Sequence, residues 1–263
     1  MNSDDKPTVK RAVPAVTRAV AILRLLGRSL EPMGVNQISR ELKLVPSTCL
    51  HILRVLTDEG LVTFDLQTKR YAIDVGILAI ARTAIQRNAF ISLIQPHLNS
   101  LSERYGATLV ATQLTDVSHM VVVALSQVQQ PFRLQVDLGS RFPALISATG
   151  RCFAAFNGLP EADLRDGFRR LKWDRAPEFD TWRAEVADTR EKGFGTDRGS
   201  YISGVTVLAV PFFDGNGRMV RSMVAIGITE RLEGAGIDRL AQDMLKVRDV
   251  VDAMQVGEKV ARA

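Results

Sequence analysis

The first third of the chain carries apolar residues at the spacing of amphipathic helices. In residues 15–29 they recur at i, i+3, i+7 and i+10, which places them on one helical face, and the pattern stops near Gly27. Residues 34–44 repeat the pattern over a shorter span. The predicted inward faces are Val16, Ala19, Leu23 and Leu26 in the first helix, and Val35, Ile38 and Leu42 in the second.

A third helix is predicted to begin at Pro46, because proline suits the first position of a helix. Cys49, Leu53 and Leu56 then point inward, and Gly60 ends the helix. The opposite face is polar and consists of Ser47, His51, Arg54 and Asp58.

Two short strands, residues 61–65 and 70–74, are predicted next, around a polar and basic tip at residues 66–69. Three short helices with a tight turn before the third, followed by such a hairpin, are typical of a winged helix-turn-helix. We predict this module for residues 13–74. A winged helix-turn-helix lays its last helix in the major groove of DNA.

The distribution of charge agrees with this prediction. The whole chain has a formal net charge of +5, and residues 1–90 contain 13 Lys+Arg against 8 Asp+Glu, which is also +5. The remaining residues hold 34 − 13 = 21 basic and 29 − 8 = 21 acidic groups, a balance of zero. Positive charge confined to one module indicates nucleic-acid binding, although five charges alone are also compatible with an ordinary solvated surface.

The predicted DNA contacts are Pro46, Ser47, Thr48, His51 and Arg54 on the third helix, and Thr68, Lys69 and Arg70 on the hairpin. Four of these residues have an alternative explanation. A hydroxyl at Ser47 or Thr48 would also serve as a helix cap. His51 alone is more often a solvated surface residue, and Arg54 with Asp58 would form a surface ion pair of little energetic value. The arrangement as a whole favours double-stranded operator DNA as the partner.

The rest of the chain predicts a linker followed by one α/β domain. Residues 75–95 continue as a helix through Leu78, Ala81 and Ile85, a natural linker and dimerisation element, and Pro96 restarts the helix with a face that ends at Gly106. The domain, residues 96–260, places strands before and after inserted helices. Its predicted strands are 107–114, 119–126, 132–136 and two around a Gly-Asn-Gly turn in 205–228; its predicted helices follow Gly150 and cover 161–171, 179–192 and 237–256.

Composition excludes several other classes of protein. The longest apolar run, residues 205–213, which only Thr206 interrupts, is far short of the roughly 20 residues that span a bilayer. Residues 1–16 lack the apolar segment of a signal peptide and look like a short disordered arm. Cys49 and Cys152 are too far apart to suggest a disulfide framework or a metal site, which fits a reduced cytoplasm. We expect no membrane partner, no metal and no cofactor.

Several motifs resemble the isocitrate lyase regulator (IclR) family. They are RAVAILRLL, the L-x-x-S-T turn, LTDEGLV, TKRYAI, VGILAIA, LGSRFPALISATGRCFAAF, TREKGFGTD, GVTVLAVPFFDGNGR and MVAIGI, in the order in which the family has them. The resemblance covers residues 15–248 and implies an α+β protein: a winged helix-turn-helix, a linker helix and a GAF-like α/β effector-binding domain. It implies a homodimer or a dimer of dimers that represses or activates transcription in response to a small organic acid.

The resemblance also implies an effector pocket. It assigns the ligand loop to Thr149, Gly150, Arg151 and Cys152 and a ligand-binding aspartate to Asp197, with Tyr201 in the following loop. The chain departs from the family at three positions, because Val207, Val224 and Ile226 stand where members that sense glyoxylate have polar residues. A pocket with these residues favours an aromatic or otherwise hydrophobic carboxylate. The alternative is that the three residues are only sheet core.

Two other functions remain open at this point. Cys152 follows a glycine at a predicted helix N-terminus, where a thiolate nucleophile would be favoured, but His51, His97 and His119 show no partner motif that would make one of them its base. Catalysis is therefore not expected. The second alternative is a ligand-binding module that does not touch DNA, against which the segregated charge and the hairpin argue.

Overall fold

The computed structural model describes residues 13–29, 31–86, 89–116, 118–128 and 136–261. The chain divides into two compact units, Met1–Arg87 and Asn88–Ala263, which are considered separately below. Residues 1–12 of the predicted N-terminal arm (residues 1–16), most of the predicted strand at 132–136, and Arg87 and Asn88 of the predicted linker lie outside the described residues. The last three residues of the predicted arm, 14–16, are wrongly predicted as disordered, because they form the first turn of a helix.

The first unit contains three short helices and a small sheet, followed by a fourth helix. Its three helices and its hairpin confirm the pattern predicted from the sequence, and the short strand β1, which pairs with β3, was not predicted. The elements are α1 (Pro14–Leu26), β1 (Met33–Gly34), α2 (Val35–Glu41), α3 (Pro46–Asp58), β2 (Val62–Asp65), β3 (Arg70–Ile73) and α4 (Gly76–Gln86).

The core of this unit follows the predicted inward faces with one exception. Cys49, Leu53 and Leu56 are buried as expected. Val16, predicted to point inward, is 59% exposed, and Ile22 is fully buried instead. The buried stripe of α1 thus runs at i, i+3, i+4 and i+7 from Ala19, and Val16 lies in the first turn, one turn before the stripe begins.

The turn between α2 and α3 contains a strained residue. Lys43 has φ +53°, in the left-handed region that side chains other than glycine rarely occupy. The turn is closed by the Leu44 amide, which donates to the Ser39 carbonyl at 2.8 Å. Because this turn sets the angle at which α3 leaves α2, the strain is located where the module orients its third helix.

The second unit is built on one antiparallel sheet of six strands in the order β6-β5-β4-β9-β8-β7. The predicted strands and helices in 107–126, 147–192 and 205–261 are confirmed in type, whereas β6, β7 and α9 were not predicted. The elements are α5 (Ala89–Tyr105), β4 (Thr108–Asp116), β5 (His119–Leu125), β6 (Arg141–Pro143), α6 (Ser147–Phe156), α7 (Glu161–Arg169), α8 (Phe179–Lys192), β7 (Gly195–Arg198), β8 (Val205–Phe213), β9 (Met219–Ile228), α9 (Thr229–Ala235) and α10 (Ile237–Ala261).

Pro96 does not restart a helix, as the sequence predicted, but lies inside α5. A proline removes one backbone donor from a helix and usually kinks it. The helix continues here because Ile94, Leu98 and Leu101, on both sides of the proline, are buried in the same core.

The two faces of the sheet are covered by different elements, and this places the cavity described below. On β4, Leu109 and Ala111 face the core formed with α5 and α10. The alternate residue Val110 packs on the other face, in a second core with α6. The α6 face is only partly covered by helices, and the segment 136–146 covers part of it.

Candidate functional site

Helix α3 presents an exposed polar face. Pro46 occupies its first turn, and Ser47, His51 and Arg54 lie at i, i+4 and i+7 on the side opposite Cys49 and Leu53, all three exposed. Thr48 is half-buried beside them. The predicted contacts of this helix are therefore together on one face, with the exception of the partly covered Thr48.

The structure argues against two of the alternative explanations for this face, helix capping and a surface ion pair. The N-cap of α3 is Val45, and no side chain caps the helix, so neither Ser47 nor Thr48 serves as a cap. In the described ranges, no ion pair joins Arg54 to Asp58. The charge of Arg54 does reach the core: burial raises the pKa of Tyr71, and Arg54 partly offsets this effect.

The hairpin tip, residues 66–69, is held by Asp65. Its Oδ2 accepts from the Thr68 hydroxyl at 2.7 Å and its Oδ1 accepts from the Gln67 amide at 2.8 Å. Both bonds lower the pKa of Asp65, and the bond from the Thr68 hydroxyl has the larger effect. Lys69 has φ +57° at the tip, with its ammonium 5.9 Å from the Phe64 ring centroid. Arg70 donates to the Pro32 carbonyl at 3.0 Å. Thr68 and Arg70 thus support the hairpin, and Lys69 is the cation at its tip.

The second unit contains a cavity of about 170 Å³ on the α6 face of the sheet. It is lined by residues of the sheet, of the segment 136–146, of the first turn of α6 and of the loop that follows β7. The lining is mainly apolar and consists of Val110, Thr112, Met120, Val136, Phe142, Pro143, Ile146, Ser147, Thr149, Tyr201, Ile202, Val207, Val224 and Ile226.

Five of the predicted effector residues line this cavity. They are Thr149, Tyr201, Val207, Val224 and Ile226. Val207, Val224 and Ile226, the apolar residues at which the chain departs from the family pattern, therefore line the cavity. The sequence alone was also compatible with these residues being only sheet core. They lie side by side because Val207 pairs with Ile226 across β8 and β9, with Val224 two residues before Ile226.

The other four, Gly150, Arg151, Cys152 and Asp197, lie behind the lining. Gly150 packs against residue 145, whose carbonyl oxygen lies 1.9 Å from where a Cβ would be, so no side chain fits there. The Arg151 side chain is 1% exposed and donates from Nε to Glu185 at 2.8 Å, so it neither lines the cavity nor points to solvent. Asp197 is equally buried, and Cys152 donates from Sγ to the Ala209 carbonyl.

The Cys152 thiol is not an activated nucleophile. Burial raises its pKa to about 12, and the smaller effects of the Gly195 amide and of Arg151 do not offset this. The premise of the thiol alternative is also wrong, because α6 begins at Ser147 and Cys152 lies in the middle of the helix, fully buried in the core and not at the helix N-terminus.

Four polar residues line the mainly apolar cavity, namely Thr112, Ser147, Thr149 and Tyr201. The Ser147 hydroxyl is buried without a hydrogen-bond partner, on a residue with φ +57° at the first position of α6. The Thr112 hydroxyl is hydrogen-bonded to Ser222 at 2.7 Å. Burial, followed by the charge of Asp174, raises the pKa of Tyr201, so its phenol stays protonated. The cavity therefore combines an apolar body with a few hydroxyl groups.

Two family models match the chain. One, described as "Bacterial transcriptional regulator IclR C-terminal", matches residues 82–253, and the other, described as "IclR helix-turn-helix domain", matches residues 15–66. The chain belongs to the IclR family of bacterial transcriptional regulators. The IclR-family resemblance seen in the sequence is thereby confirmed.

Individual relatives agree with the IclR assignment. The chain is 26% identical over 232 residues to the HTH-type transcriptional repressor AllR of Salmonella paratyphi A, covering 86% of this chain and 84% of that protein. It is 25% identical to AllR of Escherichia coli K12, covering 93% and 90%. The fold is similar to that of an IclR transcriptional regulator from Alicyclobacillus acidocaldarius, with a TM-score of 0.77, 24% identity and coverage of 90% and 98%.

IclR-family membership decides between the functional classes left open by the sequence. The chain is a transcriptional regulator with a helix-turn-helix and an effector-domain architecture, and not an enzyme. In the described ranges no helix is long and apolar enough to cross a membrane. Among the same residues, no group of three or more His, Cys, Asp or Glu side chains is arranged to hold a metal ion.

Sequence reasoning missed several residues that line the cavity of this IclR protein. Val110 and Thr112 carried a usable signal, because alternate residues of a strand share one face. Ser147, two residues before the predicted ligand loop, and Ile202, one residue after Tyr201, gave no periodic signal because they lie at a helix start and in a loop. Phe142 belongs to the short strand β6, which was itself missed.

Proposed function

We propose that this IclR-family protein is an effector-responsive repressor that binds operator DNA as a homodimer or a dimer of dimers and releases it on binding a single-ring aromatic carboxylate or an acid of similar size and hydrophobicity. Repression is inferred from the related AllR proteins, which are named repressors. As a DNA-binding protein it would act in the cytoplasm.

The observation that carries the effector class is the buried, unpartnered hydroxyl of Ser147, a residue of the mainly apolar cavity lining. A carboxylate oxygen is the acceptor that this buried donor lacks. Ser147 begins α6, where the first backbone amides have no helical acceptor and the helix dipole favours an anion. Thr149, in the same turn, adds a second hydroxyl.

The size and lining of the cavity favour a ring over a two-carbon acid. A dry protein cavity of about 150 Å³ lined by Leu, Ile and Phe binds benzene, and the cavity here is about 170 Å³. Val207, Val224 and Ile226 offer no hydrogen bond to a small, densely charged acid, whose desolvation would then be uncompensated. Tyr201 supplies one phenol that would bond a ring hydroxyl.

The DNA-binding proposal rests on the exposed face of α3 and on the hairpin tip. Ser47 and His51 lie toward the N-terminal end of α3, where recognition helices reach base edges, and Thr48 and Pro46 lie beside them. Arg54 and Lys69 would bind phosphates and supply salt-dependent affinity. Thr68 and Arg70 would act by holding the hairpin in shape.

Exposed apolar residues of the first unit support dimerisation. Val16 and Val20 of α1 are exposed, as is Val13, the residue directly before this helix. Leu78 and Ile80 of α4 are about two-thirds exposed. Exposed apolar stripes of this kind are usually covered in an assembly, and a dimer would place two α3 helices on half-sites about one helical turn apart or a multiple of it.

Isothermal titration of the full-length protein tests the effector proposal. Benzoate is expected to bind with a negative heat-capacity change, because it buries apolar surface, and glyoxylate is expected to produce no heat of binding. Tighter binding of glyoxylate than of benzoate would contradict the proposed class.

A pair of variants tests whether the two functions are separable. Replacing Arg54 and Lys69 with alanine should abolish operator binding and leave benzoate binding unchanged, whereas Arg169→Ala, at a surface arginine of the second unit, should leave both intact. Retention of operator binding by the double variant would remove α3 and the hairpin tip from the DNA interface.

A further inference from the structure

A buried ion cluster lies directly behind the cavity. Arg151 of α6 is among the largest fully buried side chains of the described residues, and Asp197 of β7 is 1% exposed. Their charged groups are 3.6 Å apart, measured from Nη1 to Oδ2. Neither side chain lines the cavity. A fully buried arginine and aspartate are costly unless they are paired, so their position requires an explanation.

Asp197 holds the loop between Gly199 and Gly204. Its Oδ1 accepts from the Ser200 amide at 2.8 Å and from the Tyr201 amide at 3.4 Å. Its Oδ2 has no hydrogen-bond partner and faces Arg151 instead. The two glycines have φ of +81° and +78°, which allows the chain to turn tightly around the carboxylate.

The same loop is held from its outer side. The Arg175 amide donates to the Ser200 carbonyl at 3.0 Å, and the Asp174 amide donates to the Tyr201 carbonyl at 3.2 Å. The backbone amides and carbonyls of Ser200 and Tyr201 are thus all hydrogen-bonded. The bonds of the two amides depend on Asp197.

Arg151 also contacts the first turn of α6. Its Nη1 donates to the Ser147 carbonyl at 3.0 Å, and Ser147 lines the cavity together with Tyr201. A continuous chain of polar contacts therefore runs behind the lining, from Ser147 through Arg151 and Asp197 to Tyr201.

We propose that Asp197 and Arg151 are positioning residues of the effector site: Asp197 holds the loop that carries Tyr201 through the Ser200 and Tyr201 amides, and Arg151 holds the first turn of α6 through the Ser147 carbonyl, without either side chain touching the effector. This inference rests on the proposed function for the identity of the site. It differs from the role implied by the family resemblance, in which the aspartate binds the ligand directly.

Two substitutions of Asp197 separate the roles. Asp197→Asn keeps an Oδ1 acceptor for the Ser200 and Tyr201 amides, whereas Asp197→Ala removes it. The matched control is Asp214→Ala, because Asp214 accepts in the same way from the amides of Asn216 and Arg218 in an exposed turn that does not line the cavity.

The first measurement is hydrogen exchange of the full-length protein without effector. Asp197→Ala is expected to speed exchange of the Ser200 and Tyr201 amides by about tenfold or more, since each tenfold corresponds to about 1.4 kcal/mol of lost protection. Asp197→Asn is expected to stay close to the unaltered protein, and Asp214→Ala to affect its own turn alone. Unchanged exchange in Asp197→Ala would overturn the proposal, whether or not any acid binds.

The second measurement is benzoate affinity of the same proteins. Asp197→Ala should bind about tenfold more weakly, because ordering a loosened loop opposes binding, whereas Asp197→Asn and Asp214→Ala should bind as the unaltered protein does. Weak binding by Asp197→Asn with its loop still protected would show that the carboxylate acts on the ligand, and would overturn the proposal. Failure of the unaltered protein to bind benzoate would reject the proposed effector class. The exchange result alone would then decide whether Asp197 positions the loop. Should Asp197→Ala not fold, the asparagine variant alone decides by the same two readouts.

Discussion

Ser147 is expected to lower the stability of the effector-free protein and to strengthen binding of the effector. Its φ of +57° lies in the left-handed region, and its hydroxyl is buried without a partner. Replacing it with glycine removes both features, and replacing it with alanine removes the hydroxyl alone. The two variants together therefore separate backbone strain from the cost of the buried hydroxyl.

The magnitudes can be worked from the structure. A left-handed side chain other than glycine costs roughly 1–2 kcal/mol, and an unbonded buried polar group costs about 1–3 kcal/mol. The substitution by glycine also destabilises the protein by about 0.4–1 kcal/mol, because the unfolded chain gains conformational freedom. Ser147→Gly should therefore raise the free energy of unfolding by about 1–5 kcal/mol. At about 2–4 °C per kcal/mol for a unit of this size, the melting temperature should rise by several degrees or more.

Thermal and guanidinium unfolding of the effector-free protein measure this change. Ser147→Ala should stabilise less than Ser147→Gly, because the strained φ remains. The control is Ser222→Ala, which removes a buried hydroxyl that does have a partner and leaves Thr112 unbonded, so it should destabilise by about 1 kcal/mol.

The same variants should weaken effector binding. A hydrogen bond from a hydroxyl to a carboxylate contributes about 1.5–3 kcal/mol, so benzoate affinity should fall by roughly 10- to 100-fold. Greater stability with weaker binding is the expected combination. Two results would refute the reasoning: destabilisation by both Ser147 variants, which would mean that the hydroxyl is bonded in solution, or undiminished benzoate affinity in both.

Three further predictions concern the turn between α2 and α3, the DNA interface and the buried thiol of Cys152. Lys43→Gly should stabilise the protein by up to about 1 kcal/mol by relieving φ +53°, and an unchanged guanidinium midpoint would show that the turn is not strained. Arg54→Ala and Lys69→Ala should each reduce the slope of log affinity for operator DNA against log salt by about 0.9, whereas Arg169→Ala should not; an unchanged slope would exclude a phosphate contact. Burial raises the pKa of Cys152 to about 12 from about 9, so the stabilisation from its protonated thiol is complete below pH 9 and is lost as the pH rises toward 12. Unfolding midpoints between pH 8 and 11 should fall more steeply in the unaltered protein than in Cys152→Ala, and equal pH dependence would contradict the burial of the thiol.

Local pattern predicted the DNA-binding module well, because its elements are short and their signals are contiguous. Pro46 marks the start of α3, Cys49, Leu53 and Leu56 mark its buried face, and the polar face follows by elimination. The errors came from tertiary packing. Val16 fits the helical period but lies one turn outside the core, and the two-residue strand β1 exists only through its pairing with Tyr71 and Arg70.

The effector cavity was only partly predictable because its lining comes from distant parts of the chain. Val207, Val224 and Ile226 were found by resemblance, and they meet because of the β8–β9 register. Arg151 and Asp197 were expected at the ligand, yet they lie behind the lining, since a family motif identifies a region and not the direction of a side chain. Ser147 was missed because its left-handed backbone and unpartnered hydroxyl are properties of the folded chain alone.

The most direct test of the account is the affinity of the full-length protein for its own upstream intergenic DNA, measured by fluorescence anisotropy across a salt series with and without benzoate. The account predicts specific binding that weakens steeply with salt and is reduced by benzoate but not by glyoxylate. Specific binding that no aromatic carboxylate alters would contradict the proposed link between the cavity and the DNA-binding module, and an absence of specific binding at every salt concentration would contradict the proposed role of α3.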